Sequence, residues 1–148
     1  MKCVAALLVA VLVLASVAVE RADADVFAAL RDCAKNSNLS QDKLQKACNG
    51  ELPKDEELKN YQCYTKCVQQ LVGIMSAEGA VDPVKSAQTL VDEKQRKEME
   101  DIAKQCKFDD MKGATCEKAF AVDQCYSEKN NVMYKNNCND LMSKTFPA

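Results

Sequence analysis

The stretch Tyr61-Gln62-Cys63-Tyr64-Thr65-Lys66-Cys67 decides how the rest of the chain is read. It lies in a segment whose apolar positions, Leu58, Tyr61, Val68, Leu71, Val72 and Met75, recur at helical spacing. Pro53 precedes that segment, and Asp55-Glu56-Glu57 suit the positive end of a helix. Gly73 and Gly79 bracket its end and the following loop. On such a helix Cys63 and Cys67 stand at i and i+4, so both thiols leave the same face one turn apart. A bond between them would distort the helix, because disulfide geometry is demanding. Each sulfur is therefore expected to reach a different neighbouring element.

Outward from there the periodicity is helical almost throughout. Val26, Phe27, Leu30, Cys33 and Ala34 form one apolar stripe. Ser40 suits the cap of a second helix, with Leu39 and Leu44 as its hydrophobic staple and Gly50 as its stop. Asp82-Pro83 reads as N-cap and first position of a short fourth helix carrying Val84, Ala87 and Leu90 or Val91. Asp92 with Gln95 resembles a capping box opening a fifth helix, whose inner stripe is Met99, Ile102, Ala103 and Cys106. After a loop from Lys107 to Gly113, Thr115 caps a sixth helix carrying Cys116, Ala119, Phe120 and Cys125 and running to about Lys129. Asn130 and Asn131 break the pattern; Val132-Met133-Tyr134 reads as one apolar turn, and Leu141, Met142 and Phe146 as a less regular tail. No strand pattern, repeat or low-complexity linker interrupts this. The expected fold class is all-α, with about six to seven short helices.

The beginning reads differently. Met1-Lys2, an apolar run from Val4 to Val19 and the small residues Ala22 and Ala24 have the form of a signal peptide. The run is shorter than the roughly 20 apolar residues that a spanning helix prefers. Cleavage is expected after Ala24, with Ala18 as the alternative, leaving one secreted, extracellular domain over residues 25–148. Loss of Cys3 turns nine cysteines into eight, an even number that suits four disulfides in an oxidising compartment. Spacing alone leaves 105 pairings of eight cysteines open.

Several chemistries are disfavoured. The chain has no histidine, the base on which serine hydrolase triads and secreted phospholipases depend. Aromatic residues make up 5% with no tryptophan, a poor basis for a sugar-binding groove. No catalytic residue and no cofactor is therefore nominated. Without histidine or a Cys-x-x-Cys knuckle, no metal site is expected either. The net charge is −2 with both signs interspersed, which leaves no footprint for nucleic acid and none for insertion into an anionic membrane.

The six ordered cysteines Cys33, Cys63, Cys67, Cys106, Cys116 and Cys125 have 29, 3, 38, 9 and 8 residues between them. With the Tyr61–Cys67 stretch and the Val81-Asp82-Pro83 helix start, this ladder resembles the insect odorant-binding family, the pheromone- and general-odorant-binding proteins. The likeness runs from about Asp25 to Met133. It implies helices stapled around an internal hydrophobic cavity, with Cys33–Cys67, Cys63–Cys116 and Cys106–Cys125 as the bonds. Cys48 and Cys138 stand outside the six-cysteine pattern and are expected, by elimination, to form a Cys48–Cys138 bond.

The resemblance further implies a carrier of small hydrophobic ligands, whether volatile odorant, pheromone or fatty acid, with a chemosensory receptor as a further partner. The same fold also serves in saliva, reproductive fluid and haemolymph, where it would scavenge lipids or small signals. A membrane-active defence protein is the remoter alternative, and the mildly acidic charge counts against it. The chain is expected as a monomer or weak homodimer.

Inward apolar positions nominate the pocket: Phe27, Leu30, Val68, Leu71, Met75, Val84, Met99, Ile102 and Phe120. For any single one of them, plain core is the favoured reading. Tyr134 is the candidate polar handle for a ligand oxygen, and Phe146 is expected in a loose terminus rather than as a plug. Without histidine, a sharp release near pH 6 is not expected. Any acid response would fall to carboxylates with raised pKa, for which Asp109, Asp110 and Asp140 are nominated.

Overall fold

The computed structural model describes residues 25–88, 92–108 and 110–147. The expected signal segment, Leu90, Val91 and Asp109 lie outside the described residues. Among the described residues the fold is all-α. Helix α1 spans 25–36, followed by α2 (Gln41–Cys48), α3 (Asp55–Leu71), α4 (Pro83–Gln88), α5 (Glu93–Gln105), α6 (Cys116–Lys129) and α7 (Asn131–Thr145).

Side-chain caps start most of these helices. Ser40 accepts from the Lys43 amide, Asp92 from Gln95 and Thr115 from Lys118. Asp82 accepts from the amides of Val84 and Lys85 at 2.9 and 3.3 Å and so opens α4. Asn130 ends α6 and begins α7 at once: its side chain accepts from the Met133 amide at 3.0 Å and donates to Glu98 of α5. That single residue explains the principal difference from the sequence expectation. The tail is a continuous 15-residue helix, not one turn and an irregular segment. Asn137 and Asn139 lie among the residues of α7 that face its neighbours, which blurs the apolar period along it.

Four disulfides join the helices. Cys33–Cys67 ties α1 to α3, and Cys63–Cys116 ties α3 to the first residue of α6. Cys106–Cys125 holds the end of α5 against α6, and Cys48–Cys138 fastens the end of α2 to α7. The second of these junctions, α2 with α7, is reinforced by Gln45 donating to Asn139 and Asn139 donating to Asn49.

Two apolar clusters form the interior. One gathers Ala34, Leu39, Leu44, Ala47, Tyr61, Phe120 and Met142, with Phe146 partly buried against it. The terminus is thus packed rather than loose at Phe146. The other gathers Ala87, Met99, Ile102, Ala103, Val122, Tyr126 and Met133 around Cys106. Between α3 and α4 the chain turns sharply at Gly79, whose φ is +90°. A Cβ there would lie 2.2 Å from the backbone of Gly113, so only glycine permits the two loops to meet.

Candidate binding cavity

The helices do not close completely on one another. They leave a cavity of about 460 Å³, within the range common for small-molecule sites. Val26, Phe27 and Leu30 of α1, Leu44 of α2, and Tyr61, Tyr64 and Val68 of α3 form much of its wall. Val72 and Ile74 continue the wall past the end of α3, and Met99 of α5 and Tyr126 of α6 add to it. Leu141 and Met142 of α7 complete its apolar part. Asp140 and Lys144, both exposed and joined by a 2.7 Å ion pair, stand at its rim. Arg31 of α1 donates to the Thr145 carbonyl at 2.8 Å and so holds the two rims together.

One corner is polar. Gln69 of α3 donates to the Ala119 carbonyl at 2.8 Å and to the Asp123 carboxylate at 3.2 Å. Tyr134 of α7 donates to the other Asp123 oxygen at 2.9 Å. Burial pushes the Asp123 carboxyl up to about 6, against the hydrogen bonds from Tyr134 and Gln69, which lower it. Its residual exposure opens on the main cavity and on a smaller one of about 240 Å³ beyond it, both of which it lines. Burial, with the Asp123 charge second, also raises the Tyr64 phenol to about 12 and the Tyr134 phenol well above its ordinary range. At neutral pH this corner therefore holds neutral phenols beside a carboxylate at its titration edge. Among the described residues no cluster of three histidine, cysteine or acidic side chains could hold a metal.

The model of the PBP/GOBP family matches residues 16–129. The chain belongs to the PBP/GOBP family. Among solved structures, an odorant-binding protein of Locusta migratoria is similar with a TM-score of 0.69 at 18% identity, over 84% of this chain and 93% of that one. An odorant-binding protein of the medfly is similar with a TM-score of 0.59 at 20% identity, over 79% of this chain and 97% of that one. At such identities the likeness concerns the fold. A search of curated protein sequences returns no match. No helix among the described residues of this PBP/GOBP chain is long and apolar enough to cross a membrane.

Of the residues nominated from sequence, Phe27, Leu30, Val68, Met99 and Tyr134 line the cavity. Five others do not. Leu71 and Val84 face outward at 40% and 42% exposure. For Leu71 the reason is angular: the stripe Tyr61, Thr65, Val68 and Val72 faces the cavity, and Leu71 lies about a quarter-turn around the helix from it. Met75 and Ile102 are buried away from the cavity, and Phe120 packs edge-on against Tyr61 with ring centres 6.0 Å apart.

A carboxylate that the sequence did not nominate, Asp123, carries a raised pKa. Of the nominated ones, Asp110 is exposed and Asp140 sits in its rim ion pair. A signal for Asp123 exists in the sequence. It stands at i+3 and i+4 from Phe120 and Ala119 and three before Tyr126, a carboxylate placed on an apolar stripe. Gln69 carries the same signal, one turn beyond Thr65 on the inward face of α3.

Proposed function

We propose that this protein is a secreted carrier that takes up small hydrophobic ligands of the odorant or pheromone type and transports them through extracellular fluid. Residues 1–24 act as its signal peptide and residues 25–148 as the single binding domain. The observation that carries this reading is the cavity of about 460 Å³ with its mostly apolar wall. A ligand of roughly 10–15 heavy atoms buried there reaches micromolar affinity well within the ligand-efficiency ceiling. Family membership supports the same reading.

The test is displacement of a fluorescent apolar probe from the oxidised mature protein by volatiles and by long-chain fatty acids. Micromolar displacement by volatiles is the expected result. Displacement by fatty acids alone would make the protein a lipid scavenger, and failure to bind the probe would end the carrier reading.

A further inference from the structure

Two buried polar atoms at the cavity have no hydrogen-bond partner among the described residues: Gln69 Oε1 and Asn137 Nδ2. Both residues line the cavity. The orientation of the Gln69 amide is set by its neighbours, because its nitrogen meets two acceptors, the Ala119 carbonyl and an Asp123 oxygen. Its oxygen is therefore a committed acceptor. Asn137 lies one turn beyond Tyr134 on α7, and Tyr134 and Gln69 meet at the same Asp123 carboxylate. An unpaired acceptor and an unpaired donor thus both belong to residues that line the mostly apolar cavity. A buried polar group left unpaired is costly, so a ligand that pairs both gains on one that pairs neither.

Charge narrows the chemistry. Among the described residues that line the cavity the one cation is Lys144, at the rim and engaged by Asp140. The polar corner instead holds the Asp123 carboxylate. A second carboxylate buried beside it would have no counter-ion.

We infer that the cavity selects a neutral long-chain alcohol, whose hydroxyl donates to Gln69 Oε1 and accepts from Asn137 Nδ2 while its hydrocarbon lies along the apolar wall. This rests on the carrier reading above and names the ligand class within it. It also assigns Gln69 and Asn137 as the residues that determine specificity.

The experiment displaces a bound fluorescent naphthylamine probe at pH 8 with 1-dodecanol, its methyl ether, which accepts but cannot donate, and dodecanoate. The alcohol is expected to bind about tenfold more tightly than the ether, which leaves Gln69 Oε1 unpaired, and to exceed dodecanoate by at least as much. Gln69→Met brings the alcohol-to-ether ratio to about one, and Asn137→Leu costs the alcohol about tenfold. Gln69 also ties α3 to α6. Asn137→Leu therefore decides the matter if Gln69→Met does not fold. Equal affinities for alcohol and ether, or tighter binding of dodecanoate, would overturn the inference while leaving the carrier reading intact. A wild-type protein that fails to bind the probe overturns both.

Discussion

The phenol of Tyr134 donates a 2.9 Å hydrogen bond to the carboxylate of Asp123, joining α7 to α6 at the wall of the cavity. The bond holds an acid that burial has raised to about 6. Because the folded pKa lies above the unfolded one, the contribution of Asp123 to stability is complete below about pH 4. It is lost as the pH rises to about 6, and amounts to about 3 kcal/mol. Asp123→Asn should flatten that part of the stability profile. In thermal melts the variant should exceed wild type at pH 7.5 and converge with it near pH 4. Tyr134→Phe removes a bond to the charged form and should move the wild-type transition to higher pH.

Cys48–Cys138 spans 90 residues of sequence and anchors α7, the helix that supplies Tyr134 to the polar corner and Asn137 to the cavity lining. Replacing both cysteines with serine should cost about 2–4 kcal/mol in denaturant unfolding. Hydrogen exchange should then rise first along α7. If protection there stays at the wild-type level, the hydrogen bonds of Gln45 and Asn139 alone hold the α2–α7 junction.

Core and cavity wall separate in a pair of variants. Phe120 belongs to the core cluster with Tyr61, and Phe120→Ala should cost about 3–5 kcal/mol of stability. Phe27 is only partly buried and touches the cavity. Phe27→Ala should lower probe affinity about tenfold with a smaller loss of stability. Equal stability losses in the two variants would contradict this division.

Gly79 meets the backbone of Gly113 with φ at +90°. Gly79→Ala must both strain the backbone and part the two loops, and should destabilise by about 2 kcal/mol or more. Because the turn at Gly79 follows Ile74, which lines the cavity, probe affinity should fall in the same variant.

The helices were legible because caps and periodicity act within a few residues. Ser40, Asp82, Asp92 and Thr115 each satisfy amides two or three positions away, and the stripes of α1 and α5 repeat locally. The same reasoning stopped at Asn130, which looks like a breaker yet caps α7 through the Met133 amide and also donates to Glu98, 32 residues earlier. Sequence likewise marked Leu71 and Val84 as apolar on inward stripes, and local pattern cannot tell which apolar face meets protein and which meets solvent.

The residues therefore specified an all-α, cysteine-stapled domain and its family, since helical period, caps and cysteine order are one-dimensional properties. Spacing could not choose among the cysteine pairings, nor place Asp123, Gln69 and Tyr134 in one corner. That arrangement needs α3, α6 and α7 brought together across the 64 residues between Gln69 and Tyr134. Only the packed structure buries the carboxylate enough to raise its pKa, and only there do an amide oxygen and an amide nitrogen lose water without finding a partner among the described residues.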